Sequence, residues 1–352
     1  MTLGQFLAAL TIAAALKHAG QSRRWLMLLS IVLGLRLISR FASVTAPWLE
    51  RYAAIAFSPS GSLLLWATLA CLIAASPLIP TQQEPRQRQL YERITLTLIT
   101  LLLVIEVFSR GSGPTGAFGV AIGSLMVIHT LAIFTSYGCQ LALLSLALAA
   151  LSQRESMDLQ QMATQPLTGA LLLQLLGTIS GSLWAATAWG SPWGWDPIEC
   201  LSLSALIWLT VLRLRRPSVM RWWYGLGLVA VPTYTILGAV LVRSGLLARA
   251  SRHGYLSGSN WPMIIISLAC MAVLIWTAHT SMKTLGGPPR SVWLGMLWGL
   301  SHWLAGLIIV IIPAIKPLIA ALLTISWLSA CGWFFVMGLP HARVTLHPNK
   351  KP

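Results

Sequence analysis

Long apolar runs recur along the chain, separated by short polar connections. A helix that spans a bilayer needs about 20 mostly apolar residues, and this ruler picks out runs at roughly 2–18, 25–44, 61–80, 92–108, 119–150, 167–187, 199–213, 222–242, 261–281, 291–313 and 317–338. The fifth run exceeds what a bilayer requires, so its helix is expected to tilt or to project beyond the membrane. The first run lacks a basic leading segment and a convincing cleavage site, which predicts a retained helix and not a signal peptide. No linker, low-complexity stretch or internal repeat interrupts the pattern. The expectation is an all-α fold: a polytopic transmembrane helical bundle of about 11 helices, forming a single membrane domain over 1–352.

Composition strengthens this picture. Of 352 residues, 56% are hydrophobic and 9% charged, against roughly 25% charged in soluble domains, and the mean hydropathy is +0.75. The net charge of +16 would suit a nucleic-acid binder, but a chain this apolar has no soluble surface to present one, so no nucleic-acid partner is expected. Cytoplasmic loops of membrane proteins gather Lys and Arg. Sixteen of the 24 basic residues fall in connections on one side of the predicted bundle, among them Arg23, Arg86, Arg215 and Lys350, and six fall on the other. Arg36 and Arg40 lie within the second run. The expected topology is a multi-pass protein of the bacterial inner membrane, with its N-terminus outside and its C-terminus cytoplasmic. The five cysteines form no CxxC pair, which excludes a thiol-exchange motif.

Candidate chemistry concentrates in one outer loop, 184–199. It holds Trp184, Trp189, Trp193 and Trp195, with Gly190, Gly194, Asp196, Pro197 and Glu199 among them. The chain has 17 Trp and only 8 acidic residues. Tryptophan is enriched at membrane interfaces, but such a belt scatters single residues over many helix ends and does not specify Asp-Pro-x-Glu beside them. A flat aromatic platform for a ligand fits the cluster better. Asp196 before Pro197, and Glu199 at the start of the next run, are expected to shape the loop and the helix that follows.

The spacing W-G-x-x-W-x-W-D-P-x-E resembles the tryptophan-rich signature of the haem-handling proteins of cytochrome c maturation, the CcmF, CcmC and CcsA families. The resemblance runs from about residue 120 to 260 and implies a haem-handling core there. It implies a haem b at the extracytoplasmic face, resting on Trp189, Gly190, Trp193, Trp195 and Asp196. Two histidines, His129 and His253, would be its axial iron ligands. The stretch leading through Arg243 is similar to CcmF. Arg243, Arg249 and Arg252 form a basic cluster against the positive-inside trend, and Arg forks pair well with carboxylates such as propionates. The alternative is that short loops tolerate these charges, or that one of them pairs with Glu106 or Glu199.

The resemblance is incomplete. Where family members carry a histidine for a second haem inside the bundle, this chain has Leu214, so a second transmembrane haem is not expected. His18, His279 and His302 have no matching partner, and Thr130 and Leu131 follow His129 in place of two prolines. The implied function is a cytochrome c biogenesis component that holds haem for covalent attachment to apocytochrome c CxxCH motifs, as part of a haem lyase. Its partners would be haem, apocytochrome c, other maturation membrane subunits and the lipid bilayer. The alternatives are a haem delivery protein without ligation activity, a transporter gated by the Trp loop, and a structural paralogue that binds no haem.

Overall fold

The structure, a computed structural model, describes residues 8–9, 11–12, 22–76, 79, 85–108, 123–152, 159–194, 197–214 and 221–243. All belong to the compact unit Met1–Leu297; the second unit, Trp298–Pro352, holds no described residue. The described residues are all-helical, with no strand among them. In chain order the helices are α1 (Ser22–Ser43), α2 (Trp48–Ala56), α3 (Pro59–Ala75), α4 (Pro85–Phe108), α5 (Ser124–Ser152), α6 (Leu159–Trp189), α7 (Pro197–Leu214) and α8 (Arg221–Arg243). The expected helices at 261–281, 291–313 and 317–338 lie outside the described residues, as does most of 2–18.

Seven of the expected runs are helices, with shifted ends that have local causes. α3 stops at Ala75 because Ser76 precedes Pro77 and is extended, at ψ 164°; the residue before proline is disfavoured in the helical region. α4 starts seven residues earlier than its apolar run, through polar first turns that end in the Arg88–Glu92 pair at 3.0 Å. α6 absorbs both a polar N-terminal stretch and the Trp184 and Trp189 positions. α2 was not expected at all. It is short and carries Glu50 and Arg51, so no apolar run marks it, yet it is amphipathic and buries Ala53, Ile55 and Ala56. It meets α3 at 89°, and Ser58 caps the turn by accepting from the Gly61 N–H at 3.0 Å.

α5 is the hub. It packs against α3, α4, α6 and α8, while α7 bridges α6 and α8 and α1 lies against α3. Its sequence explains this: it is apolar all round and rich in Ala and Ser, small residues that let membrane helices approach closely, with Gly138 set against the Ala70 backbone of α3. The single Ser136 hydroxyl proton is shared between the Ala170 carbonyl at 2.9 Å and the Gln174 side-chain oxygen at 3.1 Å. Gln140 donates to Ser136, and Gln174 in turn donates to the Ser202 carbonyl. This buried polar line ties α5, α6 and α7 together. On the other flank Glu106 of α4 accepts from Arg36 at 3.0 Å and Arg40 at 2.7 Å, and Arg40 also donates to Ser60.

Large apolar side chains stay exposed along one stripe of α1 (Met27, Ile31, Leu35, Ile38) and one of α6 (Leu172, Leu175, Ile179, Leu183). Such stripes are ordinary where the solvent is hydrocarbon. α1, α5 and α6 are each long and apolar enough to cross a membrane, and α2 with α3 makes a fourth candidate as a bent pair. At roughly 1.5 Å per residue, α5 and α6 outrun a hydrocarbon core of about 30 Å; the length of the fifth run predicted this for α5, while α6, at 31 residues, is longer than its run of 167–187 suggested.

Candidate functional site

One end of the bundle gathers the C-termini of α1, α4, α6 and α8, the N-termini of α3, α5 and α7, and the whole of α2. His129, six residues into α5, stands at this end. Its Nδ1 lies 2.7 Å from the Gly177 carbonyl of α6. A carbonyl only accepts, so Nδ1 carries the proton and Nε2 is left with the lone pair that an iron would take.

The imidazole is set against aromatic surfaces. Trp184, buried in α6, lies nearly parallel to it at 6.4 Å and 15°. Phe57, at the turn between α2 and α3, is nearly parallel to Trp184 at 6.4 Å and 18°. Trp189 meets Trp184 edge-on at 5.0 Å. Ala53 and Met126 complete this buried cluster. Tyr52 of α2 lies 2.6 Å from the hydroxyl of Thr130, the neighbour of His129. Thr130 spends its own proton on the Met126 carbonyl at 2.9 Å, so Tyr52 is the donor.

α6 ends at Trp189 because Gly190 takes a left-handed conformation, φ 73°, and returns its N–H to the Ala186 carbonyl at 3.1 Å, a glycine C-cap. The Trp-rich connection is therefore shorter than the expected 184–199: Trp184 to Trp189 are helical, α7 starts at Pro197, and the turn is 190–196. Within it Ser191 donates to the Trp193 carbonyl at 2.9 Å. The Glu199 carboxylate accepts from the Gly194 N–H at 2.7 Å while sitting in the first turn of α7, where the helix dipole favours an anion. Glu199 thus has the loop-shaping role its position suggested.

The structure brings His129, Trp189, Gly190 and Trp193 to this end. Trp195, Asp196 and His253 lie outside the described residues. Arg243 closes α8, which runs antiparallel to α7 with Gly238 opposite Leu201 and Gly227 opposite Leu212, so its backbone reaches the same end; its side chain is outside the described residues. Glu106 is engaged by Arg36 and Arg40 and Glu199 accepts from Gly194; the side chains of the outer basic cluster lie outside the described residues. Leu214 ends α7 with 69% exposure.

Sequence reasoning passed over Phe57, Tyr52, Gly177 and Gly181, and treated Trp184 as part of a loop. Gly177-x-x-x-Gly181 is a small-xxx-small pattern in an apolar run and was legible; Phe57 and Tyr52 had no signal, because α2 itself had none.

The residues fit a haem. The Nδ1 bond fixes the tautomer that an axial histidine uses, and flat aromatic faces suit a macrocycle. Among the described residues no group of three or more His, Cys, Asp or Glu could form a cage for a bare metal ion, whereas haem iron needs only axial ligands from the protein.

Fold and site together define a helical membrane protein built around an aromatic-lined histidine. The sequence profile of the Cytochrome C assembly protein family matches residues 58–247, more than half of the chain, and the protein belongs to that family. Among relatives, it is 27% identical over 315 residues to the probable cytochrome c-type biogenesis protein NrfE of Escherichia coli (strain K12), covering 82% of this chain and 56% of that protein. It is 27% identical over 249 residues to the cytochrome c-type biogenesis protein CcmF of Pseudomonas aeruginosa, covering 64% and 37%. It is 30% identical over 171 residues to the cytochrome c biogenesis protein CcsA of Synechococcus sp. (strain CC9902), covering 38% and 55%. The chain thus spans about half the length of these relatives or less. The solved structure of the cytochrome c haem lyase CcmF superposes with a TM-score of 0.60 over 96% of this chain and 62% of that one, at 14% identity, a likeness of fold.

Proposed function

We propose that this protein holds haem b at the extracytoplasmic end of its bundle, with His129 as one axial ligand and His253 as the other, and presents it for attachment to apocytochrome c. The single observation that carries this reading is the imidazole of His129, tautomer-fixed by the Gly177 carbonyl and laid against Trp184. Trp189, Gly190, Trp193, Trp195 and Asp196 form the platform, and Arg243 meets a propionate.

Bound haem would supply the vinyl groups to which CxxCH thiols add, each S–H crossing a C=C bond to give a thioether with no net oxidation. The chain's own residues supply orientation. Gly190 and Glu199 fix where the Trp-rich turn begins and ends. Tyr52 braces the start of α5, and Phe57 the end of α6, against α2, and the close-packed apolar cluster of Ala53, Met126 and Trp184 excludes water behind His129. Catalysis of this kind rests on holding two reactants in register, since the cofactor carries the reactivity.

Titrating haem into detergent-purified protein tests the reading. A Soret band saturating at about one haem per chain is expected, and a protein that takes up none would overturn it. A second reading, delivery without ligation, draws support from Leu214, which stands where family members carry an inner ligand. Incubating the haem-loaded protein with a CxxCH peptide separates the two, because thioether formation shifts the pyridine haemochrome band and mere transfer does not.

A further inference from the structure

We infer that Gly177 and Gly181 are positioning residues for His129: the bare backbone of Gly181 is the seat of the imidazole, and the Gly177 carbonyl sets its tautomer. The functional meaning rests on the haem reading above; the geometry does not. A Cβ placed on Gly181 would come 2.5 Å from Nδ1 and 2.7 Å from Cε1 of His129, distances that no packing tolerates, so any side chain there must push the ring off its seat. One turn earlier, a Cβ on Gly177 would meet the Ile133 side chain at 2.6 Å and its backbone nitrogen at 3.2 Å. That would lift α5 away and lengthen the bond from Nδ1 to the Gly177 carbonyl.

Helix packing alone does not account for this demand. Gly169 lies further along α6, and a Cβ there would meet only the Cys139 Sγ, at the ordinary distance of 3.4 Å. Helix contacts demand glycine elsewhere, at Gly227 against Leu212 and Gly238 against Leu201, but along α6 the demand falls at Gly177 and Gly181, and at Gly181 the atoms met are those of the His129 ring. The Gly177 carbonyl has a second suitor, the Ser180 hydroxyl at 3.3 Å, but that hydroxyl has a shorter bond to the Leu176 carbonyl at 2.7 Å, and a carbonyl has two lone pairs. The short contact belongs to His129. A partner of this kind, bonded to the far nitrogen of a ligating histidine, commonly changes metal affinity 10–100-fold when removed.

The test is a double-mutant cycle on the protein without haem. Gly181→Ala should lower the melting temperature when His129 is present and have no effect when His129→Ala has already removed the ring; Gly169→Ala should be neutral in both backgrounds. If Gly181→Ala alone does not fold but folds together with His129→Ala, the inference stands in stronger form. Equal losses in both backgrounds, or failure to fold in both, would show that Gly181 serves helix packing only and would overturn it. Independently, 15N spectra of histidine-labelled protein should show His129 protonated at Nδ1 in the wild type and displaced from that state in Gly181→Ala; an Nε2–H ring in the wild type would also overturn it. With haem, Gly181→Ala should lose roughly tenfold to a hundredfold in affinity, and added imidazole should restore the low-spin spectrum. Wild-type protein that binds no haem would defeat the functional reading while leaving the cycle to decide the positioning.

Discussion

His129 illustrates how much a single residue's chemistry depends on what its neighbours lack. As a letter in an apolar run it is ambiguous, since a membrane histidine is commonly a packing residue that has found a hydrogen bond, and this one has found such a bond. What separates the readings is direction. The bond runs from Nδ1 to a backbone carbonyl, which leaves Nε2 as the ligand-type nitrogen. The residue most responsible for its surroundings is Trp184, wedged among Phe57, His129 and Trp189. Replacing this buried Trp with Ala should cost about 3–5 kcal/mol, read as a large drop in detergent melting temperature, whereas the same change at half-buried Trp193 should leave stability nearly intact and affect haem retention. The Trp cluster was legible from spacing. Which Trp is wall and which is platform was not, because α6 continues to the Gly190 cap and carries Trp184 inside.

At the scale of elements, two devices hold the site end together, and neither was visible in the pattern of apolar runs. α2 lies across the bundle end and is fixed by Tyr52 on Thr130 and Phe57 on Trp184. Removing the hydroxyl with Tyr52→Phe should cost about 1 kcal/mol; equal melting temperatures for the two proteins would exclude the bond. The second device is Glu106, buried between Arg36 and Arg40. Arg40 lies in the last turn of α1 and Glu106 near the end of α4, so both sit where helix dipoles present partial negative charge. The two arginines balance the carboxylate and the two helix ends. Glu106→Gln should therefore destabilise by about 3–5 kcal/mol, the usual consequence of stranding buried charge, and wild-type stability in that variant would disprove the clamp. The sequence left Arg36 and Arg40 as charges within a span; pairing over 66 and 70 positions is a tertiary fact that periodicity does not carry.

At the scale of the whole molecule, the all-helical architecture of the described residues and seven of their eight helices, α2 being the exception, followed from hydropathy because hydrocarbon forces backbone groups to pair within each segment. Helix ends moved by several residues wherever a proline, a polar turn or a glycine cap decided the boundary. The distribution of Lys and Arg predicts an outward-facing site: a cysteine introduced at Ser191 should react with a membrane-impermeant maleimide in intact cells, while one at the opposite end of α5 should react only after permeabilisation. The reverse pattern would invert the topology and move the site to the cytoplasmic face. The functional reading draws on both scales: the family match spans residues 58–247 and so contains α5, α6 and the turn between α6 and α7, whereas α2 lies just before it.

The most direct measurement is the haem content of purified protein, by pyridine haemochrome, in the wild type and in His129→Ala prepared side by side. The expectation is about one haem per chain with a low-spin spectrum in the wild type, and loss of most haem, or conversion of the remainder to high spin, in the variant. Full low-spin haem retained without His129 would contradict its assignment as the axial ligand and, with it, the site as built here.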